Sequence, residues 1–371
     1  MKTIAIYHPY FTGGGAETVS LWILQALQNK YDLTLFTIGD VDFTKLNSMY
    51  GTNLSGKYIK VITLVPGFLK KLCYFAIANN KSIQMIFLHL LIRLFKANSH
   101  KYDLRISTYN AMDLGQPGIQ YIHMIKVLEG KAFHRKISNF IESQISQNIS
   151  VVNSWHIAKV VKEVYNIEPK IVYPPVVIDI PNFTWNLKEN AFICSGRLVE
   201  AKEPHRIIKI LKSVREQGFN IKLYMTGGGG GVYGWRYNRL IKKLVSENSS
   251  WINLYENLPY KEYTELLARC RYGIHYKKEP FGISIAEMVK AGAIPFVRSE
   301  GGQVEIVGKH NTELFFNNEE EAVKVIVDVL SNTDKQKQII HSLDEQKSLF
   351  STQRFMSEFN TVVDAYFDTK V

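Results

Sequence analysis

The chain is poor in the features that staple, anchor or load a protein. Its three cysteines, Cys73, Cys194 and Cys270, stand far apart and have no metal or redox spacing. A disulfide scaffold is therefore excluded, and buried thiols in a reducing compartment are the expectation. No apolar run approaches the roughly 20 residues that span a bilayer. Ile83–Phe95 comes nearest, and Gln84, His89 and Arg93 interrupt it. The start, Met1–Tyr7, reads as a first buried strand rather than a secretory leader, so a cytoplasmic location is expected. Cofactor loops are missing too. Gly13-Gly14-Gly15 is followed neither by the Lys-Ser/Thr of a P-loop nor by a glycine at position 18, and this places a dinucleotide-dependent oxidoreductase last among the readings.

What is present is a folded α/β pattern. The 371 residues are 46% hydrophobic and 21% charged, which suits two globular domains. Short apolar runs alternate with helical periodicity: Thr3–Tyr7, a helix over Glu17–Leu27, then Leu33–Thr37, Val61–Leu64 and Leu104–Ser107. The rhythm resumes at Ala191–Ser195, Lys222–Thr226, Gly273–Tyr276 and Ala293–Val297. Two such series predict two mostly parallel sheets, each covered on both faces. Tyr173–Asn190, with Pro174, Pro175 and Pro181, reads as the join. That gives domains of 1–175 and 176–352, and a terminal helix over Gln353–Phe367. Ligands of open parallel sheets lie beyond the carboxyl ends of the strands, so the expected site is a cleft between the domains.

Charge is uneven. The net charge is +11, and from Lys57 to Arg105 nine cations, Lys70, Lys71, Arg93 and Lys96 among them, face only Asp103. A basic amphipathic helix at 83–96 lying on an anionic membrane surface is one reading; a buried helix with a solvated rim is the other. Tyr74, Phe75 and Phe87 add aromatics, but no nucleic-acid recognition motif accompanies them.

The most informative segment is Glu279-Pro280-Phe281-Gly282-Ile283-Ser284-Ile285-Ala286-Glu287. An apolar strand, Tyr272–Tyr276, precedes it, and the pattern from Phe281 reads as a helix that stops near Gly292. A strand that feeds a helix through a glycine turn aims free amides and the positive end of the helix dipole at an anion. From Gly282 to Glu287 the helix rises roughly 7–8 Å, about the reach from a diphosphate to its ribose. Glu287 is thus placed for ribose hydroxyls, and Glu279 for whatever lies beyond the diphosphate.

Other strand ends carry compatible chemistry. Ser195-Gly196-Arg197, with Lys202 five residues on, puts a guanidinium and an ammonium where a diphosphate leaving group would need them. Gly13–Gly15 leaves helix amides open to an anion, or makes a tight turn. His123, after Gln120–Ile122, is suited to a sugar hydroxyl or to proton transfer, or is a hydrogen-bonded core histidine. Asp40-Val41-Asp42 looks like a carboxylate pair for a divalent metal, or like loop residues. Gly227–Gly231 and Ser299–Glu305 follow strands and border the same region, or are turns.

Together these motifs resemble a retaining glycosyltransferase of the GT-B fold, glycosyltransferase family 4, over nearly the whole chain. The Glu-x7-Glu run at 279–287 carries most of the likeness. Val172–Val176, Tyr121–His123 and 273–307 are similar more narrowly to mannosyltransferases that extend lipid-linked oligosaccharides. The resemblance implies two Rossmann-like domains facing across a cleft, with 353–371 packed back on the first. It implies that Arg197 and Lys202 hold the donor diphosphate, Glu287 the ribose, Glu279 the transferred sugar, and His123 a hydroxyl near the reacting carbon. Gly14, Gly15, Gly196 and the amides of Phe281, Gly282, Ile283 and Ser284 complete the donor site. The implied donor is a GDP- or UDP-linked hexose, with mannose favoured and no obligatory metal or cofactor; the acceptor is a saccharide or a lipid-linked glycan. Met124 departs from the pattern, because many relatives have an Asp after this histidine. A nucleotide-sugar epimerase or phosphorylase on the same scaffold, and a non-catalytic membrane-surface protein, are the competing readings.

Overall fold

A computed structural model describes residues 1–11, 13–178, 183–227 and 235–369. Contacts divide them into two compact units, 1–175 with 351–371, and 176–350. Each unit is built around strands apolar on both faces, as expected where both faces of a parallel sheet are covered. In β1 (Thr3–Tyr7), Ile4, Ala5, Ile6 and Tyr7 are all fully buried.

The first unit continues with α1 (Gly15–Leu27), β2 (Asp32–Thr37), α2 (Phe43–Tyr50), β3 (Ile59–Thr63), α3 (Lys70–Asn79) and α4 (Lys81–Asn98). Then come β4 (Leu104–Ser107), β5 (Ile119–Ile122), α5 (Ala132–Ser138), β6 (Ile149–Val152), α6 (Trp155–Tyr165) and β7 (Lys170–Ile171). Its seven strands lie in the order β3-β2-β1-β4-β5-β6-β7, every pairing parallel.

The second unit runs through β8 (Glu189–Ser195), α7 (Pro204–Glu216), β9 (Lys222–Gly227), α8 (Trp235–Glu247), β10 (Ile252–Glu256), α9 (Tyr260–Arg269) and β11 (Cys270–His275). It ends with α10 (Ile283–Lys290), β12 (Ile294–Arg298), α11 (Gln303–Val307), β13 (Phe315–Phe316), α12 (Glu319–Ser331) and α13 (Thr333–Gln346). Six parallel strands lie in the order β10-β9-β8-β11-β12-β13. In both sheets the strand order reverses next to the first strand, between β1 and β4 and between β8 and β11. That reversal opens a crevice at the carboxyl ends, where such folds bind ligands.

The last helix, α14 (Thr352–Asp368), belongs to the first unit. Phe367 stacks on Tyr31 at 5.6 Å and lies 4.0 Å under the Lys2 ammonium, while the Tyr366 hydroxyl donates to the Pro117 carbonyl at 3.0 Å. Its apolar face, Phe355, Phe359, Val362 and Val363, is buried.

The apolar run at 83–95 forms the middle of α4, which the Asn80 side chain caps by accepting from the amides of Ser82 and Ile83. Leu88, Leu91, Ile92 and Phe95 are buried in the core of the first unit. Lys96 pairs with the buried Asp113. Of the two readings of this segment, the structure supports the buried helix. Among the described residues no helix is long and apolar enough to cross a membrane.

Lys188 ties the second unit together from below β8. Its ammonium is buried and donates to the carbonyls of Ala268 (2.5 Å) and Ala291 (2.8 Å), at the ends of α9 and α10. Burial pulls its pKa down to about 8, and the carbonyl ends of two helices offset the cost of keeping the charge. Lys188→Met keeps the stem and leaves those carbonyls unpaired. Urea denaturation should show a loss of about 2–3 kcal/mol; a loss under about 0.5 kcal/mol would mean that water takes the ammonium's place.

Candidate active site

The second unit concentrates the charged groups at the β8 and β11 ends. β11 stops at His275, and the chain turns through Lys277–Pro280 before α10. Glu279 sits in that turn with its side chain only 13% exposed. A carboxylate so far out of water needs its charge met. Its Oε1 accepts from the Lys202 ammonium and, at 2.8 Å, from His275 Nε2. Burial pushes the Glu279 pKa up, but the bond and charge of His275 and the charge of Lys202 outweigh it and hold the group below the ordinary carboxylate range. Glu279 is therefore an anion at neutral pH, suited to accepting hydrogen bonds from hydroxyls and unsuited to giving up a proton.

The backbone of this turn is clamped from the β12 side. The Glu279 amide donates to Gln303 Oε1 at 2.8 Å, Gln303 Nε2 donates to the Lys277 carbonyl at 3.2 Å, and the Gly302 amide donates to the Glu279 carbonyl at 2.9 Å. A Cβ on Gly302 would stand 2.3 Å from the Pro280 oxygen. The Gly301-Gly302 pair is thus a close-approach support under the 279–281 turn.

α10 begins at Ile283, two residues later than the sequence pattern suggests, because Gly282 adopts φ 112° and makes the turn. The Gly282 carbonyl takes the Ile285 and Ala286 amides, and the Ile283 and Ser284 amides have no acceptor among the described residues. They form the positive end of α10. The Phe281 side chain is buried edge-on against Phe350 at 5.6 Å, so what it could offer a ligand is backbone. One turn into α10, Glu287 Oε2 accepts from the Tyr263 hydroxyl at 2.7 Å. Burial raises the Glu287 pKa to about 7, against the pull of that bond. Tyr263 also lies near Ser195, at the end of β8. There Gly196 has φ 141°, its backbone passes so close to Gly227 that a Cβ on the latter would lie 1.9 Å from its oxygen, and Arg197 is exposed.

The first unit holds the other candidates. His123 follows β5; its amide donates to Asn110 Oδ1 at 2.8 Å and its Nε2 lies 3.1 Å from the Thr108 carbonyl. A carbonyl can only accept, so Nε2 carries the hydrogen and Nδ1 is left with its lone pair. Burial lowers the His123 pKa to about 4, so it is neutral at pH 7 and can accept from a hydroxyl. His8, fully buried, bonds Thr108 Oγ1 through Nδ1 at 3.0 Å, and burial lowers its pKa to about 3. In the glycine loop the Gly13 amide donates to Glu17 Oε2 at 2.7 Å and the Gly14 amide to the Tyr50 hydroxyl at 3.2 Å. A carboxylate of the chain itself thus stands where Gly13–Gly14 would meet an anion, and the Gly15 amide opens α1. Asp42 caps α2 by accepting from the Lys45 amide, and no cluster of three metal-ligating side chains occurs among the described residues.

Residues 178–344 match the family profile of glycosyl transferases group 1. The human GDP-Man:Man(3)GlcNAc(2)-PP-Dol alpha-1,2-mannosyltransferase is 25% identical, over 98% of this chain and 87% of that enzyme. In fold, the chain superposes on HepE of Anabaena in complex with UDP and glucose with a TM-score of 0.69 at 15% identity, covering 98% and 100% of the two chains. It superposes on sucrose-phosphate synthase of Thermosynechococcus elongatus with a TM-score of 0.70 at 15% identity, covering 100% of both. The chain is a glycosyltransferase of the GT-B fold, and its residues 178–344 are the part that matches group 1.

Of the glycosyltransferase residues marked in the sequence, the structure joins Lys202 to Glu279 directly and bonds Glu287 to Tyr263, which lies near Ser195, the last residue of β8 before Gly196 and Arg197. His123, Gly14 and Gly15 lie in the other unit, and 228–231 fall outside the described residues. Three supporting groups had no motif to mark them. His275 precedes Glu279 by four positions and was readable only as a strand end. Gln303 is hidden behind its glycine pair. Tyr263 lies in the first turn of α9 with no distinguishing neighbour.

Glu287 sets a pH test. Its folded pKa of about 7 lies above the ordinary 4.5, so the folded state holds a proton the unfolded chain has released between these values. The cost of burying the charge is absent below about pH 4.5 and complete above about pH 7. Glu287→Gln should therefore raise the melting temperature relative to wild type above pH 7, and the gap should close toward pH 4.5. A pH-independent difference would assign Glu287 an ordinary pKa.

Proposed function

We propose that the enzyme transfers a hexose, mannose in the favoured case, from a nucleoside-diphosphate sugar to a saccharide or lipid-linked acceptor, with retention and without an obligatory metal. The observation that carries the reading is the α10 head: amides at its start with no acceptor among the described residues, the charged Glu279 held by Lys202 and His275 on one side, and the half-buried Glu287 one turn along. The name of the human relative, a mannosyltransferase using GDP-Man on a dolichol-linked glycan, favours mannose and a lipid-linked acceptor. The nearest alternative, an epimerase or phosphorylase, shares the scaffold but gives a different product: an epimerised nucleotide sugar, or a sugar phosphate made with inorganic phosphate.

In this assignment the donor diphosphate meets the α10 amides, Arg197 and Lys202. An ammonium has three donors; with one on Glu279, Lys202 keeps two for phosphate oxygens and bridges the sugar carboxylate to the leaving group. Glu287 accepts from ribose hydroxyls and Glu279 from hydroxyls of the transferred sugar, while His123 Nδ1 accepts from another. The acceptor oxygen forms its bond to the anomeric carbon on the face from which the diphosphate oxygen departs. The proton of the acceptor hydroxyl passes to that departing oxygen. Arg197 and Lys202 stabilise the charge that grows there. The work of such an enzyme would lie on the cytoplasmic side of a membrane.

Donor binding and turnover should separate by mutation. Glu287→Ala should weaken the donor Kd about 10- to 100-fold, the value of one or two hydrogen bonds to a charged group. Glu279→Ala and Arg197→Ala should lower kcat about 100- to 1,000-fold, with Kd changed less. Calorimetry with GDP- and UDP-hexoses, followed by product analysis with and without acceptor, checks each part. Turnover within a few-fold of wild type in Arg197→Ala would remove the leaving-group role, and activity abolished by a chelator would overturn metal independence.

A further inference from the structure

α4 is packed into the core, whereas its neighbour α3 turns large apolar side chains to water. The chain from Pro66 through α3 carries Phe68 at 85% exposure, Leu72 at 68%, Phe75 at 63% and Leu69 at 42%. Soluble proteins rarely hold large apolar side chains in water as a contiguous set. Spacings of four and three put Phe68, Leu72 and Phe75 on one side, opposite Cys73 and Ile77, which are buried in the core with Leu88 and Ile92 of α4. The exposed row is therefore mounted on a helix that is itself fixed. Its charge is one-sided. No Asp or Glu occurs between Asp42 and Asp103, while Lys45, Lys57, Lys60, Lys71, Lys81 and Arg93 are all exposed. Lys71 lies four residues before Phe75, beside the apolar row.

We propose that the Gly67–Asn79 segment is a membrane-surface anchor, with Phe68, Leu72 and Phe75 entering the headgroup boundary of an anionic bilayer and Lys71 and Lys81 meeting its lipid phosphates. Large apolar side chains rimmed by lysine are what such an interface accepts. An acidic protein surface would match the lysines but leave the phenylalanines wet, and a second copy of this chain would bring lysine against lysine. The anchor holds the first unit at the surface where a lipid-linked acceptor resides, though its evidence, exposure and charge, is independent of the sugar chemistry.

Vesicle sedimentation of the full chain without any substrate tests it. Wild type should pellet with phosphatidylcholine vesicles containing about a third phosphatidylglycerol and much less with phosphatidylcholine alone, with binding falling as salt rises. Phe68→Ser/Leu72→Ser/Phe75→Ser should lower partitioning about tenfold or more, with an unchanged melting temperature and unchanged donor binding. Lys71→Glu/Lys81→Glu should lose the preference for anionic lipid. Leu187→Ser, equally exposed at 70% but in the second unit, should bind as wild type. The proposal is overturned if wild type ignores anionic vesicles, if the triple variant pellets as wild type does, or if it only converts a dimer to a monomer in sedimentation velocity with vesicle binding intact.

Discussion

A largely buried carboxylate that stays charged organises the carboxyl end of the sheet in the second unit. Glu279 is removed from most of its water, and an unpaired charge there would take up a proton instead. Lys202 from the β8 side and His275 from β11 prevent that. Their geometry in turn depends on the turn backbone, which Gln303 and the Gly302 amide hold from the β12 side. Two neighbouring strand ends thus converge on one oxygen, and a third holds the backbone that carries it. The β8–β11 reversal of strand order is what lets them do so, because it leaves a crevice where consecutive strands would have closed the space.

The two carboxylates of the Glu-x7-Glu run are treated in opposite ways. Glu279 has two cationic or N–H partners and is held low; Glu287 has one neutral partner, Tyr263, and is pushed up to about 7. The difference follows from position. The turn before a helix is reachable from several strand ends, whereas a residue one turn inside α10 packs against α9 and meets what that helix offers.

The sheets were legible because strands covered on both faces are uninterrupted apolar runs, as Ile4–Tyr7 and Ala191–Cys194 show. The loop–helix motif at 279–287 was legible because its glycine and its two acids are local in sequence. His275, Gln303 and Tyr263 were not, since their value comes from contacts 4 to 68 positions away that no periodicity announces. The basic stretch shows the same division. Its charge could be counted in the sequence, but which of two adjacent apolar helices faces water depends on how they pack, and the more apolar one, α4, went inside. The glycine loop is an intermediate case: Gly13–Gly15 fall at the strand end as expected, yet Glu17 and Tyr50 take the first two amides.

The partners of Glu279 also bear on the transfer with retention proposed above. A carboxylate nucleophile at an anomeric carbon needs an available lone pair of adequate basicity. Here Oε1 accepts from both Lys202 and His275, and the group is held below the ordinary carboxylate range. Both effects weaken it as a nucleophile, and displacing those donors would uncover a buried charge. Among the residues of the same turn and helix head, Glu287 is one turn away and committed to Tyr263. The basicity that a same-face transfer requires is then more readily found on the substrate, in the oxygen that leaves with the diphosphate. On this reading the protein's part is to hold that oxygen with Lys202 and Arg197 and to orient the sugar with an anion that does not itself react.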